Sequence, residues 1–213
     1  MGIILRIKTF ILSFLIINIS YVNFHNLSKF LQIKKIWSNI SLDDIKGDYI
    51  EFGIFKGKSL YHSVKTAKKL NLYNNIKFWG LDSFSGFPVE NHNFYTKENF
   101  KSSQKKVEKD FLKFKNVNII SGFFDETINR EPLASLDMVC FAFVDCDIYE
   151  SADNAFMFLS NKMQKGGFIM IDDFTSIDKN GNYIAKSFFD NFSKREIILF
   201  DTYSNGQTFR IMN

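Results

Sequence analysis

What most limits the folds open to this chain is an alternation of short apolar runs with longer amphipathic stretches, the pattern left by repeated βαβ units. Residues 49–53, 76–82, 117–121, 138–144 and 168–171 read as five strands, the first of them buried. Helical spacing predicts helices over 57–70, about 97–114, 150–163 and 183–192, with Lys165-Gly166-Gly167 as the glycine stop of the third. Two further apolar runs, 197–200 and 208–212, flank Asn205-Gly206, a dipeptide that favours a tight hairpin because both residues tolerate positive φ. The expected fold is α/β: a Rossmann-like, doubly wound, seven-stranded sheet of five parallel strands plus an antiparallel C-terminal pair. Residues 41–213 would form this domain, and residues 1–40 a helical segment ahead of it. A polar, aromatic stretch from about 83 to 96 follows the second strand and is long enough to serve as a lid.

A length of 213 residues suffices for one such domain and leaves no room for a second of similar size. Its net charge of +4 comes from lysines spread along the chain. Their densest stretch, Lys101, Lys105, Lys106, Lys109, Lys113 and Lys115, is interrupted by Glu108 and Asp110 and reads as a solvated helix face, so no nucleic-acid partner is expected. Cys140 and Cys146, in one predicted strand, would share a face about 20 Å apart, too far for a disulfide. Unpaired thiols suit the cytoplasm. Arg6 and Lys8 precede an apolar run, 10–19, that lacks a small-residue cleavage site and is shorter than the about 20 residues needed to span a bilayer. Packing of this run on the domain is preferred to membrane contact through residues 1–20, and formation of a homo-oligomer is left open.

Three clusters carry candidate chemistry. In the first, Glu51-Phe52-Gly53-Ile54-Phe55-Lys56-Gly57-Lys58-Ser59, a strand ends in glutamate and two glycines precede a helix. Glycines permit close backbone approach to a ligand, and a helix start offers free N–H groups to an anionic one, although an ordinary strand-to-helix turn fits as well. It is not the G-x-G-x-x-G of dinucleotide enzymes. In the second cluster, Asp82-Ser83 closes the next strand, where a carboxylate can accept both hydroxyls of a ribose or cap a turn.

The third cluster joins Asp145 and Asp147 to Asp172 and Asp173. If the fourth and fifth strands are neighbours, their ends lie about 4.8 Å apart and four carboxylates share one small volume. Such crowding is costly without a cation, and oxygen-only ligands favour a hard divalent ion, Mg²⁺ ahead of Ca²⁺ or Mn²⁺. Asp145-Cys146-Asp147 is also an Asp-x-Asp motif able to hold a nucleotide-sugar through such an ion. A metal-dependent glycosyltransferase therefore stays open, as does a non-catalytic binding module. His25, His62 and His92 are too scattered to read as a metal set.

Taken in order, EFGIFKGKS, GLDSFSGFP, SGFFDETI, VDCDIYES and GGFIMIDDF resemble the macrocin O-methyltransferase family, which includes the mycinamicin and novobiocin-type sugar methyltransferases. The resemblance spans about residues 47–174. It implies a class I S-adenosylmethionine (SAM) methyltransferase that moves a methyl group, with Mg²⁺ assistance, to a hydroxyl of a sugar or glycosylated small molecule. Carried over by position, Glu51, Gly53, Ser59 and Asp82 would line the SAM site, with Gly57 and Ser83 in the same two turns and Gly122-Phe123 near the adenine. Asp145, Asp172 and Asp173 would hold the metal, and Asp147 would be the general base, with Asp145 beside it in the catalytic set. The N-terminal segment and residues 88–96 match nothing in the family pattern and leave the acceptor, small molecule or glycan, unnamed.

Overall fold

A computed structural model describes residues 3–89, 98 and 100–213. Its elements are α1 (Ile3–Asn18), α2 (Tyr21–Leu42), β1 (Asp48–Phe52), α3 (Lys58–Lys69), β2 (Phe78–Asp82), α4 (Gln104–Phe111), β3 (Val117–Ser121), α5 (Phe124–Thr127), β4 (Val139–Val144), α6 (Tyr149–Leu159), β5 (Met163–Ile171), α7 (Ile184–Asn191), β6 (Ile197–Tyr203) and β7 (Gly206–Ile211). The strands form one seven-stranded sheet in the order β3-β2-β1-β4-β5-β7-β6. Strands β1 to β5 run parallel, and β7 lies antiparallel between β5 and β6. The chain leaves β1 for one edge and returns at β4, so the switch of direction that opens a crevice in such sheets falls between β1 and β4.

Alternation along each strand sends side chains to two apolar layers. One gathers Ile50, Phe52 and Val144 with Phe156 of α6 and Phe188 of α7. The other gathers Tyr49, Phe78 and Phe141 with Leu60 of α3, Phe111 of α4 and four residues of α2: Ile33, Ile36, Trp37 and Ile40. Trp37 is fully buried, with ring centres 5.5 to 5.8 Å from Phe141, Tyr49 and Phe78. This spacing is typical of interlocking aromatic packing. It fixes α2 across the strands that border the switch.

Several sequence expectations shift. The 150–163 helix ends earlier, at Leu159, and Lys165-Gly166-Gly167 lie inside β5 rather than capping a helix. They serve a bulge: pairing of β4 with β5 slips between Val139 and Phe141, and a Cβ on Gly167 would stand 2.9 Å from the Gln164 carbonyl oxygen. The same slip turns both Cys140 and Phe141 toward the α2 layer, after which Ala142, Val144 and Cys146 face the other one. Cys140 and Cys146 thus lie on opposite faces, not one, and both are buried free thiols. The hairpin turn is Ser204-Asn205, with Ser204 at positive φ and Gly206 closing the pair with Tyr203. Helix α4 begins only at Gln104, where the Ser103 side chain accepts the Lys106 N–H. Residues 90–96 of the expected lid, and residues 97 and 99 of the helix expected after it, lie outside the described residues.

The largest departure is α1. From residue 10 to residue 17 its apolar side chains are exposed rather than packed on the domain: Phe10 is 74% and Ile17 77% exposed. Ser20 caps the start of α2 by accepting the Asn23 N–H, and the two helices meet at a bend of 117°. Among the described residues no single helix is long and apolar enough to cross a membrane.

Candidate active site

The site is built at the carboxyl ends of β1, β2 and β4, where loops carry residues in left-handed backbone conformations: Phe55 (φ 48°), Phe84 (φ 56°) and Asp147 (φ 62°). Such strain in non-glycine residues concentrates at functional sites. Here part of it has a visible use, because the backbone N–H groups of Phe55 and Phe84 each donate to one oxygen of Asp82, both at 2.7 Å. Burial pushes the Asp82 carboxyl up, and these two bonds only partly offset it. Each oxygen keeps a lone pair for a further donor.

A cleft runs from Asp82 past the switch to the end of β4. Its lining includes Gly53, Asp82, Ser83, Gly122, Phe123, Asp145 and Asp147. Gly53, at φ 92°, passes so close to the next loop that a Cβ would fall 1.9 Å from the Asp145 carbonyl oxygen. Only glycine allows this contact, which ties the turn after β1 to the acidic turn after β4.

Three of the expected cofactor residues lie elsewhere. Glu51 is fully buried beneath α3, accepting hydrogen bonds from the Tyr49 and Ser59 hydroxyls, and Gly57 starts α3 against the Phe111 ring. Strand parity is the reason, since Glu51 falls on the same face of β1 as Tyr49. Burial pushes the Glu51 carboxyl up to about 7 despite its two hydroxyl partners.

Beyond β4 and β5 the acids separate into two sets. Asp145, Asp147 and Asp173 are half-buried, and each offers an oxygen within 4.8 Å of the others. Asp147 and Asp173 are in side-chain hydrogen-bond contact, which raises the Asp147 carboxyl and lowers that of Asp173. Burial and then the Asp145 and Asp173 charges hold the Asp147 carboxyl well above the ordinary range. Asp145 and Asp173 are raised too, first by burial and then, for both, by Asp172, against the opposing pull of Lys29.

Asp172, expected among the metal ligands, is not part of this trio. Its Oδ1 accepts from the Tyr203 hydroxyl at 2.8 Å, and its Oδ2 accepts from Lys29 Nζ at 2.7 Å and His25 Nε2 at 3.1 Å. Burial alone would raise this carboxyl, but the His25 hydrogen bond and the Lys29 ammonium outweigh it and hold it well below the usual carboxylate range. Sequence reading missed these three partners. The signal for two of them, His25 and Lys29 at i and i+4, is a polar interval on one face of α2 that continues into the apolar stripe Ile33, Ile36, Trp37 and Ile40.

An all-oxygen trio of this kind suits a hard divalent cation, and a cleft that joins it to a ribose-sized acceptor group suits a nucleoside cosubstrate. Comparison with known proteins points the same way. The chain is 26% identical over 148 residues to the 8-demethyl-8-(2,3-dimethoxy-alpha-L-rhamnosyl)-tetracenomycin-C 4'-O-methyltransferase of Streptomyces olivaceus, covering 62% of this chain and 54% of that protein. It is 23% identical over 158 residues to the demethyldecarbamoylnovobiocin O-methyltransferase of Streptomyces niveus, covering 67% and 58%. It therefore spans little more than half the length of these curated relatives. Among solved structures it shares a fold with the O-methyltransferase NovP (TM-score 0.71, 19% identity, 87% of this chain and 80% of that one). The calicheamicin methyltransferase CalS11 is similar as well (TM-score 0.70, 16% identity, 99% and 93%). The fold is that of class I SAM-dependent methyltransferases. The family described as macrocin-O-methyltransferase (TylF) matches residues 26–201, from within α2 to within β6, and on that match the chain belongs to the macrocin O-methyltransferase family.

Proposed function

We propose that this chain is a SAM-dependent, divalent-metal-assisted O-methyltransferase acting on a hydroxyl of a sugar or glycosylated small molecule. The observation that carries the reading is that one cleft is lined both by Asp82, with open lone pairs, and by two members of the acidic trio, Asp145 and Asp147. Residues 41–213 carry this chemistry, and the segment 1–40 contributes α2 as its cover.

In this reading Asp82 accepts the ribose hydroxyls of SAM, Gly53 and Ser83 border it, and Gly122-Phe123 receive the adenine. Asp145 and Asp173 are the residues that would hold Mg²⁺. The ion would act as a Lewis acid that makes the acceptor hydroxyl easier to deprotonate. Asp147, which lines the cleft and is left to face the acceptor when Asp145 and Asp173 hold the ion, takes the proton as general base. The remaining work is positional, since holding acceptor oxygen and methyl group in line supplies several kcal/mol of the barrier. We place the reaction in the cytoplasm, where Cys140 and Cys146 stay as thiols.

The test is methyl transfer from labelled SAM by the purified chain to a panel of nucleotide-linked sugars and glycosides, with chelator and Mg²⁺ add-back. Transfer abolished by chelator and restored by Mg²⁺ is expected. Full transfer in excess chelator would remove the metal from the account. Binding of nucleotide-sugars without SAM binding would favour the glycosyltransferase, and SAM binding without turnover on any acceptor a binding module.

A further inference from the structure

Lys29 has no duty in the methyl-transfer reading, yet it is the most committed side chain of α2. It is 8% exposed, and its ammonium lies 2.9 Å from Asp145 Oδ2 and 2.7 Å from Asp172 Oδ2, with the Phe143 ring centre 5.6 Å away. Burying a lysine is costly unless it is closely paired, and the two carboxylates supply the pairing. One of them belongs to the acidic trio. An oxygen that binds a divalent ion at about 2.0–2.6 Å while also accepting from Lys29 brings two cations within roughly 5 Å of each other. At that separation, and away from bulk water, their repulsion is large.

We propose that Lys29 is a resident counter-cation of the acidic site: a positioning residue that ties Asp145 to Asp172 and lowers the affinity of the trio for a divalent ion. The inference rests on the metal reading above, and its consequence is specific. The charge that balances Asp172 is the same charge that competes for Asp145. A metal ion bound here is therefore weakly held and readily exchanged. Asp172 serves as the anchor that keeps α2 and its lysine in place, together with the Tyr203 hydroxyl and His25, whose other ring nitrogen contacts Ser204 Oγ at 3.0 Å.

A purely structural lysine and a competing one predict opposite signs for metal binding, which is measurable without an acceptor. Mn²⁺ would be titrated into the full chain and followed by electron paramagnetic resonance, for the unmodified protein, Lys29→Met and Lys29→Arg, with thermal melts of each in the absence of metal. Lys29→Met should bind Mn²⁺ at least about tenfold more tightly, and Lys29→Arg should stay within about threefold of the unmodified chain. Equal or weaker binding by a folded Lys29→Met, or Lys29→Arg as tight as Lys29→Met, would overturn the proposal. If Lys29→Met does not fold, Lys29→Gln carries the same comparison. A site that appears only in the variant would support the role of Lys29 while removing the metal from the natural reaction, and no Mn²⁺ binding by either would overturn both readings.

Discussion

Two parts of one sheet edge meet the same problem differently. At the end of β2 a single carboxylate, Asp82, is satisfied by backbone N–H groups of two loops and keeps lone pairs for a neutral ligand. At the ends of β4 and β5 four carboxylates crowd together, and one helix brings a lysine and a histidine to only one side of them. Asp172 pairs with both cations there and Asp145 shares the lysine, while Asp147 and Asp173 are left with raised carboxyls beside them. The backbone can serve one buried acid, but a cluster of them creates a demand for a cation. On the proposed reading, that difference divides the cleft into a part that binds and a part that reacts.

A further acid, Glu51 of β1, sharpens the comparison because it has hydroxyl partners but, among the described residues, no contacting cation. With its folded pKa raised from 4.5 to about 7, its contribution to stability is fully present below about pH 4.5 and is lost as pH rises through about 7. The loss amounts to about 3 kcal/mol by linkage. Urea unfolding at pH 5 and pH 8 should show Glu51→Gln losing much less stability over this interval than the unmodified chain. An unchanged slope would show that Glu51 ionises as freely as an exposed acid.

Next in size, Asp147→Asn should lower turnover about a hundredfold or more while SAM affinity stays within about threefold, as expected for a proton acceptor. Steady-state kinetics beside calorimetric SAM binding would check this, and equal loss of both would erase the distinction between the two parts of the cleft. Asp82→Asn should do the reverse. It should weaken SAM binding by about 2 kcal/mol, roughly thirtyfold, and leave Mn²⁺ affinity unchanged, because a charged hydrogen-bond acceptor to the ribose is lost. Unaltered SAM binding would place the ribose elsewhere.

The strands were legible because each is a short apolar run, and the acids at their ends were legible because strand ends are where ligands meet such sheets. Face assignment was harder. A bulge at Cys140 reversed the alternation along β4, and nothing in the local pattern distinguishes a bulge from a regular strand. Glycines 166 and 167 misled for the same reason, since a helix stop and a bulge ask for the same residue. Glu51 and Ser59 belong to a recognisable motif but answer each other inside the protein. Lys29 and His25 were hidden by distance, because their partners lie more than a hundred residues along the chain and only the fold brings them together.

The account turns on a methyl donor and a cation binding side by side, and one measurement sees both at once. Carbon-13 resonance of methyl-labelled SAM bound to the purified chain should broaden strongly when Mn²⁺ is added, recover with chelator, and stay sharp in Asp173→Asn. SAM that binds while its methyl signal ignores Mn²⁺ in the unmodified chain would contradict the account.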